Sequence, residues 1–207
     1  MLSPRNKAFV VGISGRSGSG KTYLLRLLQE SFPSNTISVI SQDDYYLPIT
    51  EQQADDQGQI NFDLPSSIDQ ALLATDLRQL ATGNSIKKNT YTFNNPSANS
   101  QVLSIQPAPI IIIEGLFIYH FQAIAQQLDL KLFIDCEADI ALSRRIKRDA
   151  KERGYNEDEV LYQWVHHVEP AYINFLLPYK KEAHYTIRND EQPQGLDAII
   201  EHLQTLK

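Results

Sequence analysis

Apolar residues along this chain fall into two patterns that take turns. Short, continuous, β-branched runs form one: "AFVVGIS" (8–14), "TISVISQ" (36–42), "PIIIIEG" (109–115), "LKLFID" (130–135) and "AHYTIRN" (183–189). Runs of this kind predict strands buried on both faces, as in a parallel sheet. The isoleucines at 110–113 make the third run the most apolar and the expected central strand. Longer segments with helical spacing form the other pattern. "KTYLLRLLQESF" (21–32) has leucines at 24, 25, 27 and 28. "SSIDQALLATDLRQLATG" (66–83) predicts a helix capped by Ser66 or Ser67 and stopped at Gly83. Residues 138–152 and 157–168 read as helices, Pro170 starts or kinks another, and "GLDAIIEHLQTLK" closes the chain as a helix.

This alternation predicts an α/β layered fold with a parallel sheet flanked by helices. One piece departs from it. "SIKKNTYTF" (85–93) and "QVLSIQ" (101–106), joined by "NNPSANS", predict a β-hairpin excursion over 85–106. The 207 residues suit a single domain spanning 1–207.

Composition narrows the field. A net charge of −6 argues against a general nucleic-acid binder. No apolar stretch reaches 18 residues, so no membrane span is expected, and a cytoplasmic protein is. The one cysteine, Cys136, excludes an internal disulfide and reads as a small buried hydrophobe.

The chemistry begins in "GISGRSGSGKTYLL" (12–25), which holds four of the nine glycines. Gly15, Gly20, Lys21 and Thr22 form G-x-x-x-x-G-K-T, after a predicted strand and at the start of a predicted helix. Gly15, Ser17, Gly18, Ser19 and Gly20 can turn backbone N–H groups inward around an anion. The helix start adds its positive dipole end. Lys21 is placed for β- and γ-phosphates and Thr22 for Mg²⁺. A nucleoside triphosphate is therefore the expected ligand, with ATP or GTP as donor. No N-K-x-D segment for reading guanine is found, nor a transporter-ATPase signature.

Two strand ends carry acids. Asp43 and Asp44 follow the second run, where open α/β sheets place their ligands. Asp43, more than Asp44, is expected to accept a hydroxyl proton or hold Mg²⁺ through water. Glu114 ends the isoleucine run like a Walker B acid near Mg²⁺. Further on, "ADIALSRRIKRDAKERGYNEDEV" concentrates Arg144, Arg145, Lys147, Arg148, Lys151 and Arg153. Such a helix suits a mobile arginine lid over 138–158, tipped by "ERGYNED", that stabilises a transferring phosphoryl group. Arg145–Asp149 and Arg148–Glu152 pairs lacing a solvated helix are the alternative. His166 and His167 read as surface or core residues rather than metal ligands.

With these motifs in order the chain resembles the uridine kinase / phosphoribulokinase family, nearest its uridine (uridine–cytidine) kinases. "GISGRSGSGKT", "SQDDYY", "INFDLPSSID", "IIIIEGLF", "DLKLFIDCEADIALSRRIKRDAKERG" and "VEPAYINFLLPYKKEAHYTI" carry the likeness. It implies a P-loop kinase that phosphorylates the 5′-hydroxyl of a pyrimidine nucleoside, using Mg²⁺, and commonly assembled as a homo-oligomer, often a tetramer. Asp43 matches the base, with Thr22 and Glu114 around the metal. Tyr46, Asp63, Tyr91 and Gln163 match the nucleoside site, Asp63 on ribose hydroxyls. Arg145, Arg148 and Arg153 match lid arginines. Pro96 and Ala98 stand where the family usually has histidine and often arginine, and Tyr155 turns its "RGR" into "RGY". Another small hydroxyl acceptor, or a nucleotide-binding switch without an acceptor, are the competing readings.

Overall fold

The computed structural model describes residues 7–92 and 100–206. Five parallel strands form the main sheet in the order β2-β5-β1-β6-β7. They are β1 (Phe9–Gly15), β2 (Ile37–Ser41), β5 (Ile110–Glu114), β6 (Leu130–Asp135) and β7 (Tyr185–Arg188). The isoleucine strand β5 is interior, but β1 takes the middle, paired with β5 on one side and β6 on the other. That places the glycine loop at the centre of the sheet's carboxyl edge, with acids arriving from the strands beside it.

The four isoleucines explain why no polar alternation appears. Ile110 and Ile112 pack with Leu24 and Leu28 of α1 (Lys21–Glu30) and Ile199 and Leu203 of α7 (Leu196–Gln204). Ile111 and Ile113 pack on the opposite face with Leu73 and Leu77 of α2 (Gln70–Ala81). A strand covered by helices on both sides has no solvent face to mark in polar residues.

The helix expected from 66 begins later. Pro65–Ser67 forms a 3-10 turn, and Ser67 spends its hydroxyl on the Asn61 carbonyl. Asp69 caps α2 instead, accepting the Leu72 N–H at 2.9 Å. Strands β3 (Ile86–Asn89) and β4 (Val102–Ile105) pair antiparallel as a separate two-stranded sheet, the expected excursion. The joining segment, with Asn94, Asn95, Pro96 and Ala98, lies outside the described residues.

After the short α3 (Gln122–Ala125) and β6 comes α4 (Ala138–Glu152), then α5 (Glu157–Gln163). Asn156 and Glu159 close a capping box at the start of α5. No break follows at Pro170. The helical run continues through a π turn (Trp164–Val168), α6 (Glu169–Ala171), a second π turn (Tyr172–Leu176) and a 3-10 end at Glu182. Wide turns flank the proline, so the chain passes it without starting a new helix. Cys136 is buried just past β6, and burial pushes its thiol up, as suits a small hydrophobe. Among the described residues, no helix is long and apolar enough to cross a membrane.

Candidate active site

Between β1 and α1 the chain turns on glycines that no other residue could replace easily. Gly18 has φ +80°, and a Cβ there would lie 2.2 Å from the Ala141 carbonyl oxygen of α4. Gly20 has φ +96°, and its Cβ would strike the Asn189 amide at 2.2 Å. Asn189 donates to the Ser19 carbonyl at 2.7 Å, which pins the loop from the β7 side. Lys21 Nζ lies across the loop, donating to the carbonyls of Gly15 at 3.0 Å and Arg16 at 3.2 Å. Desolvation lowers its pKa, against the pull of Glu114 and Asp43. An ammonium held by two neutral carbonyls in a desolvated loop suits an arriving phosphate.

The acids converge from β2 and β5. Ser41 and Glu114 are register partners across the two strands, and the Ser41 hydroxyl donates to Glu114 Oε1. Burial pushes the Glu114 carboxyl up, and the negative charge of Asp43 adds to it. Asp43 sits in the 3-10 turn Gln42–Tyr45 that follows β2. Gln42 anchors that turn by accepting the Phe117 N–H at 2.8 Å. Thr22, in the first turn of α1, faces the same space. Two carboxylates and a hydroxyl are hard oxygen donors of the kind Mg²⁺ accepts alongside water and substrate phosphates. Together with the desolvated Lys21 they fit a metal–nucleotide complex. Among the described residues, no three His, Cys, Asp or Glu gather as a self-sufficient metal cage.

One solvent-open cleft joins these groups to the opposite wall. Ser17, Lys21, Thr22, Asp43 and Glu114 line its loop end. Tyr46, Asp63, Arg145, Arg148, Arg153 and Gln163, all expected from the sequence, line the rest. Gly15, Gly18, Ser19 and Gly20 shape the loop from behind. Tyr91 does not line the cleft. Its ring packs at a tilt against Tyr46, with centroids 5.2 Å apart, and its N–H donates to Asp44 Oδ1 at 3.3 Å. Burial pushes the Asp44 carboxyl up.

Three of the arginines gather on one carboxylate, Asp149. Arg145 is buried, donating to Ser17 Oγ and Gln163 Oε1, both at 3.0 Å, with Asp63 at 3.5 Å and Asp149 at 3.2 Å. The expected Arg145–Asp149 pair is present, but in the interior. Arg148 turns to Asp149 at 2.7 Å instead of Glu152. Arg153 also reaches Asp149, at 3.6 Å. Sequence reasoning missed Asp149 as the carboxylate that gathers three arginines. It missed Ile60, Phe62, Leu116 and His167 in the cleft as well. "NFD" carried a signal for Phe62, which meets Tyr46 edge to face at 5.7 Å. His167 is a core residue, bonded to Asp55 at 2.7 Å, and His166 lies outside, stacked on Tyr162.

The profile of the phosphoribulokinase / uridine kinase family matches residues 10–193. The chain belongs to this family. Its members named uridine kinase include one from Alkaliphilus metalliredigens, 34% identical over 202 residues and covering 97% of both chains. Uridine-cytidine kinase B of Dictyostelium discoideum is 32% identical over 198 residues, 95% of this chain and 82% of its own. The structure of a possible uridine kinase from Bacillus stearothermophilus superposes with a TM-score of 0.59 at 17% identity, over 89% of this chain and 91% of that one. That likeness shows a shared P-loop kinase fold. Membership in the phosphoribulokinase / uridine kinase family makes the protein a phosphotransferase, with ATP as the implied phosphate donor.

Proposed function

We propose that this protein transfers the γ-phosphoryl group of ATP to the 5′-hydroxyl of a pyrimidine nucleoside, uridine or cytidine, giving the monophosphate. The observation that carries the reading is one cleft lined by two chemically distinct sets of groups. Lys21, Thr22, Asp43 and Glu114 form one, and the aromatic rings of Tyr46 and Phe62 with the acid Asp63 form the other. Aromatic faces suit a planar base, and a buried acid suits ribose hydroxyls. The uridine kinase names of the relatives point the same way.

In this reading Asp43 takes the proton of the 5′-hydroxyl as its oxygen bonds to the γ-phosphorus and ADP departs. Thr22, Glu114 and Asp43 would hold Mg²⁺, which when bound neutralises phosphate charge. Lys21, Arg148 and Arg153 face the developing charge, and Gln163 with Arg145 orients Asp63. The test is ATP consumption with and without uridine, cytidine, a purine nucleoside and a sugar phosphate, products identified by mass. Acceptor-independent hydrolysis, or turnover of the sugar phosphate alone, overturns the proposal.

A further inference from the structure

A second carboxylate organises the cleft from outside. Asp55 lies in the loop 53–63, whose later residues Ile60, Phe62 and Asp63 line the acceptor end. One of its oxygens, Oδ1, accepts the N–H groups of Gln57 and Gln59, each at 2.9 Å. An Ala54–Ile60 bridge and the Asn61 N–H on the Gln53 carbonyl, at 2.8 Å, complete a closed turn. The other oxygen, Oδ2, is bonded from across the cleft wall. It accepts the Tyr162 hydroxyl at 2.7 Å and meets His167 Nε2 at 2.7 Å.

Tyr162 and His167 are five residues apart. In an α-helix that spacing puts them about 140° apart around the axis, too far to meet on one atom. Here the helix widens into the π turn Trp164–Val168, where bonds run from i to i+5 and such positions come close to alignment. The widened turn therefore has a geometric consequence: it brings two donors from one helix onto one carboxylate oxygen. Four donors on one carboxylate outweigh the desolvation that opposes ionisation, and Asp55 stays well below the usual carboxylate range.

We propose that Asp55 is a positioning residue of the acceptor site, latching the loop that carries Ile60, Phe62 and Asp63 to the π-turned helix that carries Gln163 and His167. The role rests on the acceptor reading given above. Asp55 touches none of the groups at the loop end, and the latched helix reaches that end only indirectly, through Gln163 and Arg145 to Ser17 and through Trp164 to Arg16, so the latch acts chiefly on acceptor affinity.

Steady-state kinetics of Asp55→Ala and Tyr162→Phe test this. Asp55→Ala is expected to raise KM for the nucleoside at least tenfold, with kcat and KM for ATP within about twofold of wild type. Tyr162→Phe, which removes one of four donors, is expected to raise it about 3- to 10-fold, and the double variant to be no worse than Asp55→Ala. An unchanged nucleoside KM in both variants overturns the latch, as does a parallel loss in both KM values and kcat. Hydrogen exchange on the nucleotide-free protein separates this proposal from the acceptor reading. If the wild type phosphorylates no nucleoside, that reading falls, and the amides of Gln57 and Gln59 decide the latch. Exchange faster in Tyr162→Phe, which leaves the Oδ1 bonds of Gln57 and Gln59 in place, and confined to 53–63 and 157–168, supports it, and wild-type rates overturn it.

Discussion

Asp149→Asn is the substitution whose cost the structure sets most directly. The Asp149 side chain is 0% exposed and faces three guanidinium groups. Removing its charge leaves them without the anion they share. Breaking a buried ion pair from one side costs about 3–5 kcal/mol, because the remaining charge stays desolvated. The three arginines do not weigh equally. Arg148 and Arg153, with side chains 33% and 17% exposed, can turn toward water. Arg145, at 5%, cannot, though it keeps Asp63 and the neutral acceptors Ser17 and Gln163. The lower end, about 3 kcal/mol, is therefore expected. For a chain of this size that corresponds to a Tm about 6–12 °C lower. Urea unfolding measures it, with the m-value unchanged. A loss below about 1 kcal/mol, the scale of an exposed pair, would refute the picture of a shared buried anion. Arg145→Gln combined with Asp149→Asn should cost clearly less than the two single losses added, since both remove one interaction.

Three further outcomes are expected. Asp43→Asn should cut turnover about 10²–10⁴-fold while ATP binding persists, and a variant keeping half its activity would remove Asp43 as the base. Lys21 has a folded pKa below the ordinary 10.5, so the unfolded chain binds the extra proton. Nucleotide-free wild type should thus gain stability relative to Lys21→Met as pH rises toward the ordinary lysine pKa of 10.5, and a flat difference in thermal denaturation would contradict it. Tyr155 lines the cleft where the family pattern has arginine, and it offers fewer donors to a pyrimidine edge. Uridine and cytidine should therefore differ by less than about tenfold in kcat/KM, and a preference above about a hundredfold would show that other groups read the base.

The glycine loop, the β-branched strands and the acids at their ends were legible because each obeys a local rule. Gly18 and Gly20 occupy positive φ, β5 is apolar on both faces up to its last residue, Glu114, and Asp43 lies two residues past the end of β2. The family likeness added Asp63, Tyr46 and Gln163, which line the cleft, and Tyr91, which supports Tyr46 from behind. Some local signals competed and lost. Ser66 and Ser67 looked like a cap, but Asp69 three residues before Leu72 took that N–H.

Other features had no local signature. The arginine helix reads in sequence as a concentration of basic residues with a few acids, the same whether it faces water or the interior. Only the packing of α4 against the glycine loop and α5 buries Arg145 and makes Asp149 the shared anion, and desolvation is what turns that charge pattern into a strong interaction. The meeting of Asp55 with Tyr162 and His167 spans more than a hundred residues and needs a π turn that leaves no apolar period to detect. Backbone geometry and strand burial follow from neighbours along the chain, so the sequence by itself determined them. Which charges share one buried oxygen depends on how distant segments exclude water together, and that only the tertiary structure decided.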